Sequence, residues 1–217
     1  MRLKPSLYLM GGLALAIAAP LMVLAVFIQP IAGEAPLEAG KLFAWKLSVL
    51  ALYASAALII AALLVLALRY AATDQAGWAL LALAAVIPGT VGYLAGTATA
   101  WSYLATGVVA GVAPIPPPAW GVAAMAAAGR MVCWGGLAAE GIAIRRDAAF
   151  PRWYGPVGIV IGGLEIIGEI ALGYDLPLML LWLLGFVWLF GLGLLMLQAR
   201  SRLAAAEPTP ELTSTGV

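Results

Sequence analysis

Six long apolar stretches, separated by short polar segments, restrict the possible folds of this chain more than any other feature of its sequence. An α-helix needs about 20 predominantly apolar residues to cross the hydrocarbon layer of a membrane. Each stretch is long enough, so the sequence predicts an all-α membrane bundle of six transmembrane helices. The predicted spans are residues 7–28, 46–69, 78–106, 119–144, 154–173 and 177–198.

The composition supports a bilayer as the solvent of this chain and narrows its chemistry. Hydrophobic residues make up 65% of the sequence and charged residues 10%, whereas soluble domains are about 45–50% apolar and about 25% charged. A net charge of +1 gives no basic surface for nucleic acid. The chain has no histidine, which excludes histidine-ligated haem, histidine-containing metal sites and imidazole catalysis. A metal site of carboxylates alone is disfavoured, and the cofactor, if any, stays unknown.

The positive charges predict the orientation of the six spans, because basic residues are enriched in cytoplasmic loops. With spans numbered in chain order, one side of the membrane receives eight basic residues and the other side two. The eight are Arg2, Lys4, Arg69, Arg145, Arg146, Arg152, Arg200 and Arg202, and the two are Lys41 and Lys46. We therefore expect both termini in the cytoplasm. The usage of alanine, glycine and arginine favours a bacterial protein, hence the bacterial cytoplasmic (inner) membrane.

Three local patterns predict features other than regular transmembrane helix: a kink or interruption, a loop segment and a tail. Pro88 and Gly89 are expected to kink or interrupt the third helix. The run "GVAPIPPPAW", residues 111–120, favours a short polyproline II segment at a membrane surface. Residues 1–198 form one transmembrane domain on this interpretation, and residues 199–217 form a polar, Pro/Thr-rich cytoplasmic tail that is expected to be disordered.

Three charged residues fall inside predicted spans. Arg130 lies roughly 15 Å below the outer surface along span four, and Glu165 and Glu169 lie roughly 12 Å and 6 Å deep along span five. The matching depths predict that Arg130 pairs with Glu165, and through its forked donors with both glutamates. The three residues form either a structural ion pair or a functional polar cavity. A third possibility is that Glu169 reaches the outer interface together with Asp175.

Other residues of the spans are candidates for the same cavity. Tyr93 and Thr97 give span three a polar character, and Trp134 lies one turn beyond Arg130 in span four. Each can line a cavity beside Arg130, although hydrogen bonding or packing between helices is the more common role of such residues. Cys133 is expected to be a small packing residue.

Spans four and five also contain glycines and one further carboxylate, Glu140, for which the sequence predicts a position. Gly158 and Gly162 form a G-x-x-x-G pair, and together with Gly163 and Gly168 they are expected to let a neighbouring helix approach closely. Glu140 lies near the cytoplasmic end of span four, just before Arg145 and Arg146. We expect it to extend to the surface or to pair there with these arginines.

The second half of the chain resembles a family of small bacterial six-helix integral membrane proteins that is known only as a domain of unknown function. The resembling stretch is "GIAIRRDAAFPRWYGPVGIVIGGLEIIG", residues 141–168, in which a helix ends in a basic turn and a Pro-Arg step precedes a glycine-rich helix. The beginning, "LYLMGGLALAIAAP", is similar as well. The resemblance implies a six-helix membrane fold and brings no activity and no catalytic residues.

Three functions stay open at this point. The first is a non-enzymatic membrane protein that binds a hydrophobic or amphipathic small molecule, or that serves as an accessory subunit of a membrane complex. The second is an intramembrane enzyme of lipid or isoprenoid chemistry with Glu165 or Glu169 as general acid. The third is a small transporter or a proton-coupled sensor. The expected partners are the lipid bilayer, a small hydrophobic molecule or other membrane subunits.

Overall fold

A computed structural model describes residues 5–28, 39–110, 119–171 and 176–205 of the chain. The regular structure of these residues is entirely α-helical, as the apolar stretches predict. The six helices are α1 (Pro5–Ile28), α2 (Ala39–Tyr70), α3 (Ala76–Ala110), α4 (Ala119–Ile144), α5 (Tyr154–Ala171) and α6 (Leu176–Ala205).

Five of the six helices are long and apolar enough to cross a membrane, which fits a multi-pass membrane protein. The apolar segments are Ser6–Ile28, Lys46–Tyr70, Ala76–Thr99, Tyr154–Ala171 and Pro177–Arg202. Within the described residues, α4 is not among them. It carries Arg130 and Glu140 together with several glycines, and these residues lower its apolarity.

The helices form a closed ring in which neighbours in sequence are neighbours in space. Each helix packs against the next along the chain, and α6 packs against α1 and closes the ring. Short connections favour such an order, since a helix followed by a tight turn returns beside its predecessor. Apolar side chains fill the inside of the ring, among them Leu15, Leu52 and Leu192, which have no exposed surface.

Glycines set the closest crossings between helices. An added Cβ at Gly129 of α4 would lie 2.3 Å from the backbone nitrogen of Tyr93 in α3. Backbone atoms are also the nearest neighbours at the α1–α6 crossing around Gly193. Van der Waals contact between small residues is a main source of helix association in membranes, where the solvent is as apolar as the side chains. At these crossings, the backbones of adjacent helices are therefore in direct contact.

The predicted glycine contacts of α5 are confirmed at Gly158 and Gly162. A Cβ at Gly158 would meet the ring of Trp188 in α6, and a Cβ at Gly162 would meet the backbone of Trp134 in α4. Gly163 has nothing within 4 Å of such an atom. Gly162 therefore allows the close approach of α4, Gly158 allows that of Trp188 in α6, and Gly163 takes part in neither contact.

Two features differ from the sequence prediction. The third helix continues through Pro88 from Ala76 to Ala110, so the predicted interruption is absent, whereas the alternative of a kink at Pro88 stays a prediction. The sixth helix continues to Ala205, seven residues beyond the predicted end of the span, so the first part of the predicted tail is helical. The polyproline segment, 111–118, and the remaining tail, 206–217, lie outside the described residues.

Candidate functional site

A buried ion pair joins α4 to α5 near one end of the ring. The Nε of Arg130 donates to Oε1 of Glu169 at 2.5 Å, and its Nη2 donates to Oε2 at 3.0 Å. The side chains are 12% and 2% exposed, respectively. Two parallel N–H···O bonds of this kind combine charge with a fixed geometry, which only a guanidinium supplies among side chains.

The prediction for the partners of Arg130 is confirmed for one glutamate and wrong for the other. We expected Glu165, and through the forked donors both glutamates, whereas the bidentate pair is with Glu169 and Glu165 makes no hydrogen bond to Arg130. The register of the two antiparallel helices explains the difference. Ile166 lies against Gly135, and moving one turn along α5 brings the chain opposite a point one turn earlier in α4. Glu169 is thereby within reach of the long Arg130 side chain.

Aromatic rings cover the faces of the Arg130 guanidinium. Its Cζ lies 5.5 Å from the ring centre of Tyr93 in α3 and 5.0 Å from that of Trp182 in α6. Each distance is within the range of a cation–π interaction, which is stronger when the cation is removed from water. Four side chains from four helices therefore hold one buried charge pair.

Glu165 is the unexpected member of this group. Its side chain has no exposed surface. Neither carboxyl oxygen has a hydrogen-bond partner among the residues that the structure describes. Glu165 lies one helical turn from Glu169 on the same face of α5, so the Arg130 site, which we define as Arg130, Glu165 and Glu169, contains two carboxyls and one guanidinium.

A cavity lies beside this site inside the ring. It encloses about 670 Å³ of empty space when its open mouth is included, of which about 60 Å³ is wide enough for water molecules. Every helix except α5 contributes to its wall, which is formed mostly by apolar and aromatic side chains. Arg130, Tyr93, Thr90 and Cys133 are its polar lining, and the Thr90 hydroxyl lies 3.8 Å from the Cys133 sulfur.

The predicted cavity residues are only partly brought together. Tyr93, Arg130 and Trp134 line the cavity, whereas Thr97, Glu165 and Glu169 do not. Glu169 bonds to Arg130, which does line the cavity. Trp134 forms a rigid part of the wall because its indole lies over Gly185 of α6, where an added Cβ would come within 2.2 Å of the ring.

A second polar site, the Arg69 site, lies at the other end of the bundle and comprises Arg69, Tyr70 and Asp147. Arg69 makes a bidentate pair with Asp147 through Nε and Nη2, the latter at 2.5 Å. The Tyr70 hydroxyl and the backbone nitrogen of Ala149 also donate to Asp147, each at 2.9 Å. The guanidinium also lies over the rings of Tyr8, Tyr70 and Phe150.

The Arg69 site was not predicted from the sequence, although a signal was present. Asp147 follows two arginines in the turn after α4, and we counted Arg69 only as a mark of topology. An acidic residue within a basic turn is a reason to look for a partner elsewhere in the chain, and here that partner is 78 residues away. The site ties the end of α2 to the α4–α5 connection.

The predicted position of Glu140 is also wrong. We expected it to reach the surface or to pair with Arg145 or Arg146, but its side chain has no exposed surface. Neither of its carboxyl oxygens has a hydrogen-bond partner within the described part of the chain. Its spacing from Gly129, Cys133 and Gly136 places it on the face of α4 that packs against α3. Arg146 instead bonds to Asp74 at the surface.

No family model, curated protein or solved structure matches the chain. The resemblance to six-helix membrane proteins therefore stays a prediction. Among the residues that the structure describes, no three His, Cys, Asp or Glu side chains come together as a possible metal site.

Proposed function

We propose that this chain is a multi-pass membrane protein that binds an uncharged, hydrophobic or weakly amphipathic small molecule in the cavity beside Arg130. The observation that carries the proposal is the lining of the cavity, which consists mainly of apolar and aromatic side chains with Arg130, Tyr93 and Thr90 among them. Small-molecule sites typically combine such an apolar wall with a few polar groups.

The charge of the site favours an uncharged ligand. Arg130 is already neutralised by Glu169 in a bidentate pair, so an anionic headgroup would compete with a carboxylate that is part of the protein. The rings of Trp134, Trp182 and Phe186 offer flat apolar surfaces in the cavity wall. Thr90 adds a hydroxyl, which can donate to or accept from one polar group of a ligand.

The proposal includes α4 as a sixth span, with both termini in the cytoplasm of a bacterium. Support for the sixth span comes from packing, because α4 lies between α3 and α5 in the ring. The ion pair with Glu169 also lowers the free-energy penalty of placing Arg130 in the membrane, which is about 2.5–3.5 kcal/mol for an unpaired charge on insertion scales. Support for the orientation comes from the eight-to-two distribution of basic residues.

Binding is favoured over intramembrane catalysis by the position of the acids. Glu165 and Glu169 do not line the cavity, so neither carboxyl is placed to protonate a molecule that is bound there. A general acid must lie within hydrogen-bond reach of the atom that it protonates. The enzyme hypothesis therefore has less support than the binding hypothesis, and the accessory-subunit hypothesis becomes an outcome of the test.

Native mass spectrometry of the purified protein, released from nanodiscs, tests the proposal. Ala56 of α2 lines the cavity and Ala54 of the same helix is exposed, so Ala56→Phe fills the cavity and Ala54→Phe adds the same ring outside it. We expect a bound small molecule in the wild-type protein and in Ala54→Phe, and its loss in Ala56→Phe. Equal occupancy in both variants, or no bound mass in the wild type, contradicts the proposal.

Two further readouts keep that experiment decisive. Size-exclusion profiles of all three proteins establish that the substituted chains are folded. A second polypeptide that remains attached in mild detergent, with an empty cavity, would replace the ligand-binding proposal with the accessory-subunit hypothesis.

A further inference from the structure

The Arg130 site holds one more acid than its cation can neutralise. Arg130 forms a bidentate pair with Glu169, while Glu165, one turn away on α5, is completely buried without a hydrogen-bond partner among the described residues. A guanidinium can make the two-bond fork with only one carboxylate at a time. The site therefore has two glutamates, and only one of them at a time can form the two-bond pair with Arg130.

Among the described residues of α5 and of the helices packed against it, the basic side chains are Arg130 and, at the end of α6, Arg200 and Arg202. Helix α5 packs against α4 and α6. From α4 come Arg130 and, on the face toward α3, Cys133 and Glu140, and from α5 itself comes Glu169. Helix α6 carries no titratable side chain before Arg200, which is close to its far end. Tyr154 of α5 lies three turns away, where its hydroxyl donates to the Trp188 carbonyl.

The balance of charge at the site requires a proton. With both carboxyls ionised, the site would have a net charge of −1 and an unpaired carboxylate inside the bundle, which is among the most unfavourable arrangements in a low-dielectric interior. One proton shared by two carboxyls makes the site neutral. Close carboxyls titrate as a pair for this reason, and their protons belong to the pair rather than to one residue.

We propose that Arg130, Glu165 and Glu169 form a proton-binding site in which Arg130 exchanges one carboxylate partner for the other. In the observed state, the proton is on Glu165 and Arg130 pairs with Glu169. When the proton leaves Glu165 and one binds Glu169, Arg130 pairs with Glu165, and the net charge of the site is unchanged. The occupant is a proton rather than a metal cation, because the described part of the chain brings no third His, Cys, Asp or Glu to the two glutamates as a metal ligand.

Exchange of partner at Arg130 is connected to the cavity. Arg130, Tyr93 and Trp182 all line its wall, and the two rings cover the guanidinium. Movement of Arg130 toward Glu165 therefore changes the shape of the wall, so a molecule in the cavity would favour one proton position over the other. This coupling rests on the proposed function, whereas the proton site itself does not.

Infrared difference spectroscopy of the protein in lipid nanodiscs tests the proton site without any ligand. A protonated carboxyl has a carbonyl stretch that is separate from those of carboxylates and amides. At neutral pH we expect the wild-type band of Glu165, its loss in Glu165→Gln and its shift in Glu165→Asp. We also expect its loss in Glu169→Gln, because Arg130 then pairs with an ionised Glu165. Glu140→Gln is the control, which leaves the Glu165 band in place.

The outcomes separate the proposal from a fixed ion pair. If Glu165→Gln and Glu165→Asp both leave the wild-type band unchanged, Glu165 is not protonated and the proposal fails. If Glu169→Gln keeps the Glu165 band at full amplitude, Arg130 does not exchange partners and the switch is wrong. An empty cavity in the mass spectrometric experiment leaves these spectra unaffected, so the two proposals fail independently.

Discussion

The two ends of the bundle contain the same arrangement of charges in different surroundings. At each end, an arginine forms a bidentate pair with a carboxylate from another part of the chain, and aromatic rings cover its guanidinium. The pairs are Arg130 with Glu169 and Arg69 with Asp147. The exposed side-chain fractions are 12% and 2% for the first pair and 22% and 7% for the second.

The difference between the two sites lies in how the carboxylate is held. Asp147 accepts hydrogen bonds from Tyr70 and from the backbone of Ala149 in addition to Arg69. Within the described residues, Glu169 accepts only from Arg130. A carboxylate with several donors is fixed in position, whereas one with a single partner can be released when that partner moves. The Arg69 site therefore fixes the helix ends, and the Arg130 site is able to change.

Replacing either arginine should lower the unfolding free energy more than the other substitutions, and the size of the loss should differ between the two sites. Arg130→Gln leaves Glu169 buried without its only described partner, and breaking a buried pair in this way costs about 3–5 kcal/mol of unfolding free energy. Arg69→Gln should cost about 1–3 kcal/mol, because Asp147 keeps two donors and partial contact with solvent. Unfolding in a denaturing detergent, followed by circular dichroism, measures both values.

A double variant distinguishes a lost pair from a general packing defect. Arg130→Gln combined with Glu169→Gln removes both charges, so much of the stability should return. The distinction would be wrong if Arg69→Gln and Arg130→Gln lowered the unfolding free energy equally and the double variant recovered none of it. Asp147, with several donors, would then be held no more firmly than Glu169, with one.

A smaller effect is expected from the helix crossing that supports the Arg130 site. Gly129→Ala places a Cβ 2.3 Å from the backbone nitrogen of Tyr93, and neither backbone can yield without moving the Tyr93 ring away from the guanidinium. Overpacking of this kind costs about 1–3 kcal/mol. The same unfolding measurement applies, together with the fraction of folded protein after purification.

Gly163→Ala is the matched control for that substitution. Nothing lies within 4 Å of its added Cβ, and alanine favours a helix interior over glycine by roughly 0.5–1 kcal/mol. The control should therefore be neutral or slightly stabilising. A destabilisation equal to that of Gly129→Ala would show that contact with α3 is not the cause.

The sequence predicted the helices because their signal is local. Each apolar stretch specifies its own helix, and the closed order of packing follows from short connections between consecutive helices. The membership of Arg130 and Glu169 in one polar group could also be predicted, because two isolated charges in adjacent apolar stretches have few other partners. Helix α3 shows the limit of local signals, since Pro88 predicts a kink or an interruption and the helix is not interrupted there.

The details of both sites depend on the register between helices, which no local pattern contains. A shift of one turn decides whether Arg130 meets Glu165 or Glu169, and estimates of depth from uncertain span ends are not accurate to one turn. Glu140 was placed at the surface because arginines follow it, whereas its position on the α3-facing side of α4 decides its burial. Asp147 and Arg69 are distant in sequence, so their pairing becomes visible only in the fold.

The smallest expected effect tests the redundancy of the Arg69 site. Tyr70→Phe removes the hydroxyl that donates to Asp147 at 2.9 Å but leaves the Arg69 fork and the Ala149 backbone bond in place. One hydrogen bond of this kind contributes about 0.5–1.5 kcal/mol. Tyr53→Phe, at an exposed tyrosine of the same helix, should leave the unfolding free energy unchanged. A loss in Tyr70→Phe as large as that in Arg69→Gln would mean that Asp147 depends on its whole set of donors, and the Arg69 site would then be as easily disrupted as the Arg130 site.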